Sequence, residues 1–409
     1  MIGFRQATVA VTHPSRLIAG GWQHSLMVAT AFTAGVRLFL TVYFAGAALL
    51  FPRPGTLHWL YDSSGVKLLD SGWQALLLGV WQREDAIWYE KIATLGYSTS
   101  DMTVQFFPLY PLLTRWLSEF TGLHAIASGM LVSDASLIGA LFLLHRLVLA
   151  DFGLGVANRT VAYISLFPFA FFLHAPFAES LALVLVILAF FLLSRQHWLS
   201  ALAAAYLVGL VRPQGMVFGL PLAVQVLAQR GVLNRHPLVR LSRRDLARVA
   251  SIAAAPLLGA ASFMAAVNTP WRTPGVPATV GPMAHQWLTI PGTPLLYSGQ
   301  RILQGVAYPI DISDFVMAVL FVLLSAVALF RLRPEYSTYA VLFVLLPLSR
   351  FSDPFPLMSF SRYMLLLFPC FIVLALLGRY RWVHLAIIFL FLCGLAFWSA
   401  MYYTASFVG

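Results

Sequence analysis

Charged residues and cysteines are scarce in this chain. Only 10% of its 409 residues are charged and two are cysteines, whereas 60% are apolar and the mean hydropathy is +0.82. Ordinary soluble domains are about 25% charged and about 45–50% apolar. The composition therefore excludes a soluble globular enzyme, a disordered chain and a disulfide scaffold. Cys370 and Cys393 lie in apolar runs and are expected to be buried free thiols.

Motifs for nucleotides and metals are also missing. The sequence has no P-loop, no G-x-G-x-x-G fingerprint, no His/Cys cluster and no H-E-x-x-H spacing. Three acids of the first outer loop described below could assist a divalent ion, but Asp62, Asp70 and Asp101 are scattered. A metal, a cofactor and a nucleotide-sugar donor are therefore not indicated.

Long apolar runs predict an all-α polytopic membrane protein. A hydrocarbon core about 30 Å thick is crossed by about 20 apolar helical residues. We predict one integral membrane domain over 1–409, with a first span at 24–51, a large outer loop at 52–125 and the rest of the bundle at 126–404. Ten further spans, making about eleven, are expected at 126–150, 158–175, 179–194, 199–212, 215–229, 249–267, 311–330, 337–350, 362–378 and 382–404.

The basic residues indicate the orientation of the spans. The net charge is +11, from 26 Lys and Arg against 15 Asp and Glu. With a cytoplasmic N-terminus, the short basic segments and the arginine-rich stretch 229–248 all fall on the cytoplasmic side. The positive charge is thus explained by topology, and no nucleic-acid partner is expected. The long loops then face outward, and the short basic loops favour a prokaryotic plasma membrane.

The first outer loop contains candidate surface helices. The segment 71–97 is predicted to be one amphipathic helix, lying at the membrane surface with its tryptophans at headgroup depth. A second aromatic segment, 104–122, is either a surface anchor or a wall of a lipid-binding cleft. Helical spacing places four residues of the first segment on one face: Trp81, Asp85, Trp88 and Ile92.

Asp85 is the carboxylate of greatest interest in this loop. It would lie beside aromatic rings and close to the membrane plane, where a carboxylate can act as a base. The alternative is a structural Asp that hydrogen-bonds a neighbouring element. Glu84 and Glu90 are expected to be solvated.

Arginines near the outer ends of the spans are candidates for binding phosphate. Ionisable groups close to a bilayer are costly, so each needs a partner or a function. Arg362 opens a span, and Arg212 lies at the break between two short spans, so both are candidates. Arg350 is interpreted as an interfacial arginine whose charge extends to the headgroups. Arg37 and Asp134 are expected to form a structural ion pair.

A short outer turn, HAPFAES at 174–180, supplies two further candidates. His174 and Glu179 could contact sugar hydroxyls or phosphate, although Glu179 is favoured as a cap for the following span. Gln214 is a weaker candidate for a sugar contact.

Five motifs occur in a characteristic order: DAIWYEKIATLGY (85–97), FFPLYPLLTR (106–115), LFPFAFFLHAPFAESL (166–181), LVRPQG (210–215) and SFSRYMLLLFP (359–369). Together they resemble the bacterial, PIG-V-like branch of the GPI mannosyltransferase II family, within the GT-C superfamily of membrane glycosyltransferases. The resemblance spans about residues 25–375.

The resemblance implies a GT-C-like bundle and an inverting transfer on the non-cytoplasmic side. A sugar, expected to be mannose, would pass from a polyprenyl-phosphate donor to an acceptor that is a glycolipid, a protein or a polysaccharide. An acidic residue of the first outer loop would be the base. The family's aromatic–Asp pair matches at Asp85, but Glu84 precedes it here, so either acid could act.

The roles that follow are Asp85 or Glu84 in catalysis and Arg362, Arg212 and His174 at the donor phosphate. The substrate-binding candidates are Trp88, Tyr89, Phe107, Tyr110, Glu179, Gln214 and Tyr363. Membrane lipids are the other expected partners. Two alternatives stay open: a transporter of lipids or lipid-linked sugars, and a non-catalytic glycosyltransferase-like subunit.

Overall fold

The structure is a computed structural model that describes residues 21–51, 64–98, 102–233, 241–268 and 286–404. Most of these residues are helical, and several of the helices are long and apolar. The chain is therefore an all-α integral membrane protein, as the composition predicts. The only strands within the described ranges are two of three residues each.

The described α-helices are α1 (Gly21–Leu50), α2 (Gly72–Leu77), α3 (Asp85–Leu95), α4 (Leu109–Thr121), α5 (Ala125–Phe152), α6 (Leu154–Leu166), α7 (Phe171–His174), α8 (Glu179–Ser194), α9 (Trp198–Gly209), α10 (Gly219–Gln229), α11 (Arg243–Asn268), α12 (Thr293–Leu303), α13 (Pro309–Arg331), α14 (Pro334–Leu348), α15 (Phe360–Tyr363), α16 (Phe368–Leu377) and α17 (Arg381–Tyr403). Short 3₁₀ helices lie at Gly79–Trp81, Met102–Gln105, Pro213–Phe218 and Met364–Leu366. The strands β1 (Gln286–Leu288) and β2 (Arg350–Ser352) pair antiparallel.

Among the described helices, five (α1, α5, α11, α13 and α17) are each long and apolar enough to cross a bilayer. A sixth crossing results if Phe360–Leu366 and α16, which meet at 82°, form one span. Pro369 contributes to this bend because it has no N–H to continue a helix. Shorter apolar helices such as α8 and α9 do not meet the same length criterion, so the count of eleven stays a prediction. The span expected at 158–175 is interrupted, because α6 ends at Leu166 and α7 begins at Phe171.

Helix α8 lies at the centre of the bundle. It packs against α5 on one side and α9 on another, and its residues are buried around most of its circumference. A helix that is apolar all round is typical of a bundle interior. Its first residue, Glu179, is therefore held inside the protein.

Small residues allow close packing between α9 and α11. A Cβ atom built on Gly209 would lie 2.0 Å from the carbonyl oxygen of Pro256, and one on Gly259 would lie 2.1 Å from that of Tyr206. Such approach of backbones is typical of helix pairs in membranes. This contact fixes the end of α9, directly before Arg212.

Two predictions about individual residues meet different outcomes. The Arg37–Asp134 ion pair is confirmed, with 2.7 Å between Nε and Oδ2, and it joins α1 to α5. The prediction for the cysteines is half wrong, since Cys370 is buried but Cys393 is exposed on the outer surface of α17. Apolar surface is expected there because a membrane helix can face lipid.

The prediction of one continuous helix at 71–97 is wrong. The segment forms α2, a 3₁₀ turn and α3, with a break at residues 82–84. The Gln82 side chain stabilises the break, since its amide accepts from the Leu69 N–H at 2.8 Å and donates to the Lys67 carbonyl at 3.1 Å. Glu84 then adopts a positive φ of 47°. These hydrogen bonds of Gln82 thus stabilise a break that the helical spacing of the residues in 71–97 does not predict.

Two of the three tryptophans of this segment are buried inside the protein. Trp81 is 1% exposed because its ring packs against α1 and α17, and Trp88 is 7% exposed because α3 packs against α4 and α5, whereas Trp73 is 64% exposed. The location of the segment at headgroup depth stays a prediction. Glu90, expected to be solvated, is only 4% exposed. By contrast, α4 carries Trp116 and Phe120 on its surface, as an anchor would.

Candidate functional site

Arg362 joins two acids from distant parts of the chain. Its Nη2 lies 2.5 Å from Oδ2 of Asp85, at the start of α3, and its Nε donates to Oε1 of Glu179, at the start of α8. The side chain of Arg362 is 4% exposed, that of Glu179 is fully buried, and that of Asp85 is 31% exposed. Asp85 is therefore the member of this group that solvent or a substrate can reach.

Arg212 binds the same carboxylate from another direction. Its Nη1 lies 2.6 Å from Oε1 of Glu179. Arg212 has an extended backbone between α9 and the 3₁₀ helix Pro213–Phe218, so the break expected at 211–215 is present and directs the side chain inward. We refer to Asp85, Glu179, Arg212 and Arg362 as the carboxylate–arginine cluster. Its two positive and two negative charges balance.

Glu179 combines two roles. It is the first residue of α8, where a negative charge interacts favourably with the helix N-terminus. Its described hydrogen bonds go to the two arginines, so the cap-like position also organises the cluster. A buried carboxylate needs such partners, because burying an unpaired charge costs several kcal/mol.

Backbone strain occurs directly before Asp85. Glu84 has φ 47° and ψ −128°, a conformation that costs a non-glycine residue about 1–3 kcal/mol and often marks functional sites. It fixes where α3 begins and hence where Asp85 lies. Of the two candidate bases, Asp85 is the one with a described contact to Arg362.

The aromatic candidates of the first outer loop divide into two groups. Tyr89 lies beside the cluster: burial raises the pKa of its hydroxyl well above the ordinary value, and the charge of Arg212 opposes that rise. The others serve packing. Tyr110 donates to the carbonyl of Gly129 at 2.8 Å, and the rings of Trp88 and Phe107 pack against Phe106 and Phe263, respectively.

His174 lies in a different cluster from the one expected. Its Nδ1 is 2.9 Å from Oδ1 of Asp134, and its carbonyl accepts from Arg37 at 2.5 Å. The described contacts therefore make it part of the structural Arg37–Asp134 pair, and they do not place it at the two arginines of the site.

A cavity of about 370 Å³ adjoins the cluster. It lies between the 3₁₀ helix Pro213–Phe218, the strand pair and α14. Its walls are mainly apolar, which suits a lipid chain, and its polar groups come from Gln214, Arg350 and Tyr363. The lining residues are Pro213, Gln214, Met216, Trp287, Leu288, Phe343, Leu346, Pro347, Arg350 and Tyr363.

Tyr363 connects the cavity with the cluster. The guanidinium carbon of Arg212 lies 5.2 Å from the centre of its ring, and that of Arg350 lies 5.6 Å from it. These are cation–π distances. The strand pair therefore holds Arg350 against Tyr363 at the wall of the cavity, and its interpretation as an interfacial arginine stays a prediction.

Sequence reasoning predicted a second long loop at 268–310 but identified no site residue in it. Trp287 and Leu288 of β1 line the cavity, and Trp287 stacks on Phe351 of β2 with 5.0 Å between ring centres. Three-residue strands give no periodicity to detect, and their partners lie more than sixty positions apart. Only an observed pairing could reveal them.

Within the described ranges, no group of three or more His, Cys, Asp or Glu side chains is arranged to hold a metal. Asp70 is exposed, and Asp62 and Asp101 lie outside the described residues. The chain matches no protein-family model, no curated protein and no solved structure. The family resemblance thus stays a prediction.

Proposed function

We propose that this protein is an inverting glycosyltransferase that moves a sugar, mannose in the first instance, from a polyprenyl-phosphate donor to an acceptor. The observation that carries the proposal is the position of Asp85, a partly exposed carboxylate held by Arg362 at the edge of a buried arginine pair. A base next to cations is the arrangement that a sugar-phosphate displacement requires.

The chemistry is a single displacement at the anomeric carbon. Asp85 takes the proton of the acceptor hydroxyl, and the acceptor oxygen forms the new bond to carbon. The bond to the phosphate oxygen breaks with its electron pair, so the phosphate gains negative charge. A positioned base contributes about 10²–10⁴-fold to such a rate. Arg362 and Arg212 stabilise the charge that develops on the phosphate.

The proposal includes a topology. The fold would be a GT-C-like bundle of about eleven spans in a prokaryotic plasma membrane, with Asp85 and the cavity facing the non-cytoplasmic side. The distribution of basic residues supports this orientation. The apolar walls of the cavity support a donor with a lipid chain.

The test is sugar transfer by purified protein in detergent. Radiolabelled polyprenyl-phosphate mannose is supplied as donor with a bacterial lipid extract as acceptor, and wild type is compared with Asp85→Asn. We expect transfer by the wild type and a loss of about 10²-fold or more in the variant. Asp70→Asn is the matched control, since it removes an exposed carboxylate from the same loop.

The other outcomes discriminate between the alternatives. Transfer that survives Asp85→Asn but is lost in Glu84→Gln would assign the base to Glu84. Uptake of the labelled donor into vesicles without a covalent product would instead support the transporter.

A further inference from the structure

One positive charge at the cavity is not balanced by any carboxylate in the described ranges. Within the described part of the chain, no acidic side chain forms an ion pair with Arg350. Its described side-chain contact is the face of Tyr363. Arg212 and Arg362, in comparison, are both neutralised by carboxylates. An anion entering this region therefore meets the net charge of Arg350.

The fold holds this arginine in place. Arg350 pairs with Leu288 in the two-stranded sheet, and the adjoining backbone is fixed by bonds from Thr289 N–H to the Ser349 carbonyl (2.8 Å) and from Gly292 N–H to the Leu348 carbonyl (2.9 Å). Because β2 follows α14 almost directly, the backbone that carries the guanidinium is fixed at the cavity wall.

A second polar group of the cavity also lacks a partner. The Oε1 atom of Gln214 is buried, and no hydrogen bond to it is formed by any described residue. A buried acceptor without a donor is unfavourable, because it has lost its hydrogen bonds to water. The ionised phosphodiester of a lipid-phosphate sugar has acceptors only, whereas a sugar hydroxyl can donate. Gln214 therefore suits a hydroxyl carried by the same ligand.

We propose that this cavity captures a single-chain lipid phosphate, with Arg350 as the residue that binds its phosphate. The apolar walls take the first part of the chain, and exposed Met216 and Leu288 mark where the chain leaves toward the membrane. A hydroxyl of the attached sugar donates to Gln214. The inference rests on the proposed function and adds that Arg350 captures the phosphate, whereas Arg362 and Arg212 stabilise the charge that develops on it in the chemical step.

The test is equilibrium binding of radiolabelled farnesyl phosphate to the purified full chain in detergent. Unlabelled farnesyl phosphate, farnesol and inorganic phosphate compete with it separately. We expect competition by farnesyl phosphate at much lower concentration than by the other two, because the site needs both the anion and the chain. Inorganic phosphate competing as well as farnesyl phosphate would show a simple anion site and overturn the lipid part of the inference.

The variants examine the two polar groups. Arg350→Met is expected to weaken binding of farnesyl phosphate by about 10- to 100-fold, as loss of a charge-assisted hydrogen bond does, and Arg350→Lys by less. Gln214→Leu should leave farnesyl phosphate binding unchanged but weaken that of farnesyl-phosphate mannose. Arg115→Met is the control, because Arg115 pairs only with Glu119 on the surface of α4 among the described residues.

The binding experiment tests the role of Arg350 independently of whether the protein transfers sugar. Unchanged binding in Arg350→Met, with thermal stability also unchanged, would overturn the assignment of Arg350 even if the protein transfers sugar. Loss of binding in Arg350→Met would support it even if no transfer occurs. Asp85→Asn should retain binding, since its effect is on the chemical step.

Discussion

Asp85 and Arg362 are 277 positions apart in the chain, yet Oδ2 of one lies 2.5 Å from Nη2 of the other. The contact brings the start of α3 to α15, and Arg362 extends it to Glu179 at the start of α8. A planar guanidinium with several fixed donors can serve two carboxylates at once, which a lysine ammonium on a flexible stem does less well. The identity of residue 362 therefore matters as much as its charge.

Replacing Arg362 by Lys tests this relationship. We expect the protein to fold and to lose about 10- to 100-fold in the rate of sugar transfer, because the ammonium cannot hold Asp85 and Glu179 in the same geometry. The measurement is kcat for transfer by the purified variant. Arg115→Lys, a change of the same type in a surface ion pair, should keep the wild-type rate. Full activity of Arg362→Lys would refute the geometric role.

Glu179 is expected to be essential for stability. Glu179→Gln removes the charge that balances two buried guanidinium groups, and breaking a buried pair in this way costs about 3–5 kcal/mol. The thermal unfolding midpoint in detergent should fall by several degrees, and Glu119→Gln on the surface of α4 should leave it unchanged. The double variant Glu179→Gln, Arg212→Met should recover part of the lost unfolding midpoint, because it removes one of the two unbalanced positive charges. A double variant that is less stable than either single variant would contradict this explanation.

Glu90 should make stability depend on pH. Burial raises the pKa of its carboxyl from 4.5 to about 7, and a hydrogen bond from Gln82 opposes that rise. The folded state then binds the Glu90 proton more tightly than the unfolded state does. The contribution of Glu90 to the free energy of unfolding is therefore greatest below about pH 4.5 and is lost as the pH rises through about 7. The full effect is on the order of 3 kcal/mol.

Thermal unfolding in detergent between pH 5 and pH 8 measures this dependence. His124, with Nε2 at 3.6 Å from Oε1 of Glu90, acts in the opposite direction, since burial lowers its pKa and stability then rises with pH. Glu90→Gln should abolish the fall toward pH 8, and His124→Gln should make the fall steeper. An identical pH profile for wild type and Glu90→Gln would show that Glu90 is not the titrating group.

Gly209 should tolerate no side chain. A Cβ atom there would lie 2.0 Å from the backbone oxygen of Pro256, so Gly209→Ala must separate α9 from α11. Overpacking of this kind costs about 1–3 kcal/mol, and Arg212 lies three residues further on. We expect a lower unfolding midpoint and weaker sugar transfer. Gly35→Ala, where nothing lies within 4 Å of the new atom, should be neutral or slightly stabilising.

Several parts of the site could be anticipated from residue chemistry. Charged side chains near a membrane need partners, and this principle singled out Asp85, Arg212, Arg362 and the Arg37–Asp134 pair. The cluster brings the first three together, and the ion pair is confirmed. His174 was predicted to bind the donor phosphate, but its described contacts are with Asp134 and Arg37, because its position in the sequence does not indicate which helices its turn packs against.

Composition and hydropathy by themselves determined that this protein lies in a membrane as a bundle of helices, because apolar residues at this density cannot be dissolved in water. They also identified which polar side chains needed an explanation. Only the tertiary structure decided how those side chains pair, that Trp81 and Trp88 are buried, and that Arg350 lines a cavity with Gln214. These features depend on contacts between segments distant in the chain, and the energies of those contacts override the local periodicity from which sequence predictions are made.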